Sequence, residues 1–291
     1  MQLAEFVKDS TGKLTPMYGE QEARAMTVML YSSTLQVPGY LHVTCPDREI
    51  ATGELGLLEE RLGRLCTGEP LQYVLGEACF YGLTFKVSPA VLIPRPETEL
   101  LCRMAIGRAA GIPAPRILDL CTGSGCIAWT LSCNIPGSAV TGADISEAAL
   151  EVASSQDIRG CRPPEFIRLD LLAPADEVSA SLSGSRTGTF DIIVSNPPYV
   201  MEKEKRLMHR NVLDHEPGCA LFVPDRDPLV FYRAIAVTAS RHLAKGGFGA
   251  VEINEALGRE VSGLFSGAGF RNVEVRKDLS GRDRFVFFDA P

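Results

Sequence analysis

Residues 117–125 read ILDLCTGSG, an apolar run that closes on polar residues and passes into a glycine-bearing loop. The stretch stands where a strand should turn into a helix. Glycines at such a turn let the backbone come close to a ligand and leave helix N-terminal N–H groups free. A plain tight turn accounts for the glycines equally well. Two carboxylates tilt the reading towards a ligand. Asp119 stands before the glycines, where a pyrophosphate would be repelled, and Asp144 closes the next apolar run. That spacing is close to the roughly 20 residues expected for an acid that binds ribose hydroxyls. A carboxylate at the loop suits a cationic, amine-bearing ligand. S-adenosylmethionine carries both an amine and a sulfonium, so the loop points to a methyl donor over a dinucleotide.

Outward from this loop, apolar runs ending in polar residues recur at Arg116–Asp119, Ala139–Asp144, Glu165–Asp170, Asp191–Asn196 and Phe248–Asn254. Helical patterns lie between most of them, notably Ser146–Gln156 and Pro228–Leu243. That alternation predicts a doubly wound α/β sheet. The last two runs, Asn272–Lys277 and Arg284–Asp289, are too close for a helical crossover and predict a terminal antiparallel hairpin. Residues 173–189, rich in Ser, Ala, Gly and Thr, read as a loosely ordered loop. Upstream, Glu20–Tyr31 and Glu54–Leu65 have helical spacing, with breaks at Pro38-Gly39 and Cys45-Pro46, which suits a small helical bundle. FYGLTFKV, Phe80 to Val87, alternates and predicts a short strand or hairpin before the turn Ile93-Pro94-Arg95-Pro96. A helical pattern resumes from Glu97 to about Ala110.

With 291 residues, 45% of them hydrophobic, the chain can bury a substantial core without metals or disulfides. The net charge of −7 demotes any broad hold on a nucleic-acid backbone, which needs a surplus of Lys and Arg. No apolar run approaches the roughly 20 residues of a membrane span, and the start lacks the order of an export signal. The nine cysteines are odd in number and scattered, and read as reduced thiols of a cytoplasmic protein. Neither they nor the four histidines have metal-ligand spacing, so no metal is expected.

A second constellation follows the run DIIVS: Asn196, Pro197, Pro198 and Tyr199, NPPY. A packed Pro-rich loop is the plain explanation. The chemistry of an amide or exocyclic amine gives another. Its nitrogen lone pair is delocalised, so it must be oriented before it can attack. The Asn196 side-chain oxygen and the Pro197 carbonyl could each accept one N–H of a planar NH2, with Tyr199 offering a face to the flat group.

With both constellations in view, the sequence resembles the HemK/PrmC family of protein N5-glutamine methyltransferases. EPLQYVLG (Glu69 to Gly76), FYGL (Phe80 to Leu83), LIPRPETE (Leu92 to Glu99), the 117–125 loop and NPPY carry the resemblance. So do His215 to Pro217 with Ala220 and Leu221, and Lys277-Asp278 followed by GRDR, Gly281 to Arg284. The resemblance implies a mostly parallel, Rossmann-like methyltransferase sheet with a small N-terminal helical domain: a substrate-binding domain over 1–75, a β-hairpin linker over 76–95 and a catalytic domain over 96–291. It implies methyl transfer from S-adenosylmethionine to the glutamine of the Gly-Gly-Gln motif in peptide chain release factors. The chain is further expected to be a cytoplasmic monomer that touches no membrane and holds no nucleic acid stably. Rivals are a ribosomal-protein glutamine methyltransferase and a nucleic-acid adenine N6-methyltransferase.

By the same resemblance Asp119, Cys121, Thr122, Gly123, Ser124, Gly125 and Asp144 contact the cofactor, Asp119 at its methionine end. Asp170 is an adenine-side contact or a capping residue, and Arg95 lies near the cofactor or serves as linker. Asn196 holds cofactor and substrate, and Pro197, Pro198 and Tyr199 complete the glutamine pocket; Asn196, Pro197 and Tyr199 are the catalytic set. One departure stands out: Cys121 occupies a family glycine position. A Cβ there should limit φ to negative values or push the methionine end of the cofactor outward. Met201–Arg210 reads as a solvated mobile segment, His215 and Glu216 as loop-ordering residues, and Arg276, Lys277, Arg282 and Arg284 as hairpin decoration.

Overall fold

The computed structural model describes residues 1–183 and 188–291. The chain forms two compact units, one of residues 1–77 with 209–215 and one of residues 78–208 with 216–291.

The first unit begins with helices α1 (Leu3–Tyr18), α2 (Glu20–Leu35), α3 (Leu41–Thr44), α4 (Thr52–Cys66) and α5 (Leu71–Leu75). In α1 the buried residues are Leu3, Phe6, Val7, Ser10 and Leu14, the spacing of one apolar helix face. Gly19, at φ 78°, turns the chain between α1 and α2. Phe6, Leu30, Tyr31, Leu58, Leu62 and Leu65 close the core of this bundle. The Glu54 carboxylate accepts the Ala51 N–H at 3.2 Å, satisfying a free donor at the start of α4.

The second unit opens on a hairpin of β1 (Glu77–Phe80) and β2 (Leu83–Lys86). It continues through α6 (Pro96–Ala109), β3 (Arg116–Leu120), α7 (Cys126–Asn134), β4 (Ala139–Asp144), α8 (Glu147–Ser154), β5 (Glu165–Arg168), α9 (Ala175–Ser183) and β6 (Phe190–Ser195). The short β7 (Val200–Met201) follows, then a 3-10 turn over Glu202–Leu207 and α10 (Arg210–His215), which counts with the first unit. The rest comprises β8 (Phe222–Val223), α11 (Val230–His242), β9 (Leu243–Glu252), α12 (Gly258–Gly267), β10 (Arg271–Lys277) and β11 (Asp283–Asp289).

Among the described residues the main sheet has seven strands in the order β10-β11-β9-β6-β3-β4-β5. The four pairs from β9 to β5 are parallel, and β11 and β10 run antiparallel at the edge, as the short final connection requires. Successive side chains alternate between two cores. Ile193 of β6 joins Tyr232, Ile235 and Phe265 on the α9, α11 and α12 face, whereas Ile192 and Val194 join Leu101, Trp129 and Leu131 on the α6 and α7 face. The chain winds from β3 out to β5 and then returns to β6 and β9. The order therefore reverses between β3 and β6, and a crevice is expected at their carboxyl ends. Those ends carry the 117–125 loop and NPPY.

Three sequence expectations need correction. Over 173–189 the structure has helix α9, in which Val178 and Leu182 are buried; apolar spacing outweighed the small-residue composition. Residues 184–187 of that stretch lie outside the described residues. Met201–Arg210 is built into β7, the 3-10 turn and the start of α10: Glu204 accepts the Met201 N–H at 2.7 Å, and the Lys203 N–H reaches Asp225 at 2.9 Å. Cys133 and Cys161 are joined by a disulfide with Cα atoms 4.8 Å apart, so the nine cysteines are not all thiols. The pair meets because α7 ends, and the loop before β5 begins, at the same end of neighbouring strands. The basic residues of the final hairpin do face acids: Arg276 pairs with Glu274, Lys277 with Asp283, Arg282 with Glu255 and Arg284 with Asp278.

Gly249 of β9 lies opposite Phe288 of β11, whose ring stacks on Phe265 at 4.1 Å. A Cβ at Gly249 would come within 2.1 Å of the Phe288 ring. Gly249→Ala is therefore expected to cost about 1–3 kcal/mol by overpacking, read as a lowered midpoint in denaturant; an unchanged midpoint would show that the ring can move aside freely.

Candidate active site

A cavity of about 250 Å3 opens at the carboxyl ends of β3, β4 and β6, where the strand order reverses. Its wall includes Arg95, Thr98, Cys121, Thr122, Gly123, Ser124, Asp144, Asp170, Asn196 and Pro198. Nine of the sequence-predicted positions thus come together there. Asp119, Gly125, Pro197 and Tyr199 are not in the wall.

The glycine loop is held from below. Asp119 is fully buried; its Oδ2 accepts the Thr122 hydroxyl at 2.5 Å and the Ala128 N–H at 3.2 Å. Gly125 is the N-cap of α7 and has no side chain to cap with, so Asp119 supplies from β3 the oxygen that the helix start lacks. Asp119 Oδ2 thus braces the loop from β3, and Asp119 is not among the residues of the cavity wall. Its second oxygen, Oδ1, is buried without a partner. Burial, with Asp144 adding negative charge nearby, pushes the Asp119 carboxyl up to about 7.

Gly123 (φ 55°) and Gly125 (φ 78°) both occupy the left-handed region, for different reasons. A Cβ at Gly123 would meet nothing within 4 Å, so its backbone borders open space. A Cβ at Gly125 would approach Ala153, Phe166 and Trp129 within 3.0–3.2 Å. Cys121 shares the left-handed conformation, with φ 59°. The expected restriction to negative φ does not hold: the cysteine sits in the left-handed region that favours glycine. Burial and the neighbouring Asp144 and Asp119 push its thiol up, so it stays protonated. Across the loop, Asp144 accepts the Gly123 N–H at 2.9 Å through one oxygen and the Ser146 N–H at 3.0 Å through the other. Asp170 accepts the Leu172 N–H at 2.9 Å while lining the cavity, so it is both a turn residue and a wall residue.

The opposite wall rests on a second buried carboxylate. Asn196 Nδ2 donates to Thr98 Oγ1 at 3.1 Å, Thr98 Oγ1 donates to Glu252 Oε2 at 2.7 Å, and the Tyr199 hydroxyl donates to Glu252 Oε1 at 3.0 Å. Glu252 is 1% exposed, and burial pushes its carboxyl up to about 7 against the lowering effect of Thr98, Tyr199 and Arg284. Tyr199 is thus turned towards Glu252, away from the cavity. Asn254 donates to the Tyr199 carbonyl at 3.3 Å and to Glu204 at 3.0 Å, strapping the chain that leaves NPPY. Glu216, also buried, accepts from the Ile93 N–H at 3.2 Å and from Arg95 at 2.6 Å, which sets the Pro-bounded turn against the cavity. Sequence reasoning missed Thr98, Glu252 and Asn254. The available signal was a carboxylate closing an apolar strand, the same signal that singled out Asp144.

The chain is similar to known proteins along nearly its whole length. Residues 100–215 match the family model described as "Methyltransferase small domain". A release factor glutamine methyltransferase of Bacteroides thetaiotaomicron is 40% identical over 94% of this chain and 95% of its own. One from Flavobacterium psychrophilum is 37% identical over 94% of each. Among solved structures, a methyltransferase from Pyrococcus furiosus has a TM-score of 0.50 at 18% identity, covering 80% of this chain and 100% of its own. A T. thermophilus 16S rRNA methyltransferase in complex with AdoMet and guanosine has a TM-score of 0.51 at 19% identity, covering 74% of this chain and 50% of its own. These two share the fold.

The geometry generates two predictions. Cys121→Gly removes a non-glycine residue from the left-handed region, a relief of about 1 kcal/mol, and is expected to raise thermal stability; a lowered midpoint would mean that the thiol's packing outweighs the strain. The second concerns pH. Asp119 and Glu252 hold their protons more tightly folded than unfolded, so the stability they lend is complete below their ordinary values of 3.8 and 4.5 and is withdrawn as pH rises to about 7. Asp119→Asn and Glu252→Gln should each flatten the fall of the unfolding midpoint between about pH 4 and about pH 7. Calorimetric scans across that range check it, and variants that keep the wild-type slope would contradict it.

Proposed function

The chain belongs to the family of release factor glutamine methyltransferases, and on that premise we propose that it transfers a methyl group from S-adenosylmethionine to the side-chain amide nitrogen of the glutamine in the Gly-Gly-Gln motif of a peptide chain release factor. The observation that carries this reading is the Asn196 amide, held by Thr98 in the wall of a cavity whose other side is the glycine loop with Asp144.

The residues present fit the cofactor. Gly123 leaves open the space that any side chain would fill, and the partnerless Asp119 oxygen adds an uncompensated acceptor beneath the loop, suited to a cationic ligand. In this reading Cys121 to Ser124 lie along the cofactor. Asp144 has acceptor capacity beyond its two backbone bonds and takes the ribose hydroxyls. Asp170 lies on the adenine side, and Arg95 covers the cavity from the Pro-bounded turn. S-adenosylmethionine supplies an electrophilic methyl group on a sulfonium that is already a good leaving group.

The protein's part is alignment. An amide nitrogen is a poor nucleophile until its substituents are fixed so that it faces the incoming carbon. The Asn196 oxygen and the Pro197 carbonyl each accept one N–H in this reading, and the prolines keep that carbonyl in place. Orientation of this kind can supply several orders of magnitude in rate without a covalent intermediate. No strong base is required, because the nitrogen becomes acidic as it is methylated and water can take the proton. Tyr199 acts from behind, holding the loop through Glu252. The helical unit is assigned the recognition of the protein substrate. No helix among the described residues is long and apolar enough to cross a membrane. As a reaction on a translation factor, it is proposed to take place in the cytoplasm.

Incubation with labelled methyl donor and a release factor tests this, comparing the native Gly-Gly-Gln form with one whose Gln is replaced. Label is expected in the native form alone. Asn196→Ala is expected to lose at least about 100-fold in turnover, the usual scale for an oriented polar group in a transition state, with an unchanged circular dichroism spectrum. Substantial turnover by that variant would remove Asn196 from its role.

A further inference from the structure

Glu252 is not in the cavity wall and Thr98 is, beside Asn196; together they decide which end of the Asn196 amide the cavity presents. A threonine hydroxyl has one hydrogen. Thr98 gives it to Glu252 Oε2 at 2.7 Å, and the ionised carboxylate, the form above about pH 7, can only accept. What Thr98 Oγ1 offers Asn196 is then a lone pair, and only the NH2 end of the amide can meet it, as it does at 3.1 Å. Asn196 Oδ1 is left without a partner among the described residues, on a side chain that lines the cavity. The Tyr199 hydroxyl donates to the other oxygen, Glu252 Oε1, at 3.0 Å, so both carboxylate oxygens act as acceptors. Thr98 and Glu252 are 2% and 1% exposed, so water does not compete for these positions.

Resting on the function proposed above, we propose that Glu252 and Thr98 are positioning residues that fix the hydrogen-bond polarity of the substrate pocket, holding it as an acceptor and so selecting a glutamine amide over a glutamate carboxylate. A substrate NH2 meets the Asn196 oxygen as a donor. A substrate carboxylate brings only oxygens and leaves acceptor facing acceptor in a partly desolvated site, the kind of mismatch that discriminates strongly. Glu252→Gln undoes the arrangement without changing its shape. A Gln at 252 can donate to Thr98, Thr98 can turn its hydrogen to Asn196, and the Asn196 amide can then rotate to present NH2 to the cavity.

The test compares Thr98→Val, Thr98→Ser and Glu252→Gln with the wild type at about pH 8.5, where Glu252 is the carboxylate. The direct readout needs no turnover: the Asn196 side-chain NH2 resonances of the 15N-labelled protein. They are expected to shift in Thr98→Val and Glu252→Gln and to stay near wild type in Thr98→Ser. The kinetic readout is expected to show kcat for the Gly-Gly-Gln substrate down on the order of 10- to 100-fold in Thr98→Val, restored in Thr98→Ser. Competition by a release factor bearing Gly-Gly-Glu should strengthen in Glu252→Gln relative to the Gln form. Should Thr98→Val not fold, Glu252→Gln and Thr98→Ser carry the comparison alone. Unmoved Asn196 resonances in Thr98→Val or Glu252→Gln, or an unchanged preference for Gln over Glu in a folded Glu252→Gln, would overturn the proposal. A wild type that methylates no Gly-Gly-Gln substrate while these resonances shift as expected would defeat the functional reading and leave the amide geometry standing.

Discussion

A carboxylate with almost no access to water, Glu252 at the end of β9, is the point on which the catalytic unit depends. Burying it is costly, and its raised pKa shows that the cost is only partly offset. The return is convergence. Thr98 comes from the first turn of α6, Tyr199 from NPPY and Arg284 from β11, and the Glu252 backbone carbonyl also accepts the Tyr232 hydroxyl of α11. Segments far apart in sequence thereby converge on one residue, and the Thr98 and Tyr199 bonds to its carboxylate tie α6 and NPPY to β9.

Asp119 does the corresponding work on the other side of the cavity, within one short stretch. Its oxygen reaches back to Ala128 and Thr122, so the loop cannot lift from the start of α7 without leaving a buried carboxylate exposed to neither water nor partner. This explains how Cys121 can be tolerated. A left-handed cysteine costs on the order of 1 kcal/mol, and the loop is over-determined by bonds on its far side. The backbone is therefore set by Asp119 and Asp144, and the residue at 121 conforms to it.

The sheet was legible because its signals are local. Each parallel strand is an apolar run ended by a polar residue, and the short link around Ser280 forces the final pair to be antiparallel. Helix α9 was not legible, because composition and periodicity disagreed there and burial of Val178 and Leu182 decided the outcome. The cavity residues were found where they sit in a compact motif. Thr98 and Glu252 stand 154 residues apart and act only as a pair, so neither carries a signal of its own. The disulfide has the same origin: 28 residues separate Cys133 from Cys161, and only the adjacency of β4 and β5 makes them neighbours.

Asp119 shows the limit of reading a role from a residue type and a position. A carboxylate before the glycines reads as favouring a cationic ligand over a pyrophosphate; in the structure its Oδ2 does mechanical work, as the cap that Gly125 cannot provide. The two roles are compatible because the carboxylate has two oxygens. Oδ2 is spent on the protein, and Oδ1 remains buried and unpaired. An unpaired buried acceptor is costly, and positive charge brought close to it would offset that cost. The same economy holds at Asn196, whose nitrogen is committed to Thr98 and whose oxygen is not. On both walls one atom of a side chain binds the protein and the other is held ready, and this division gives a cavity lined by ordinary residues a definite chemical polarity.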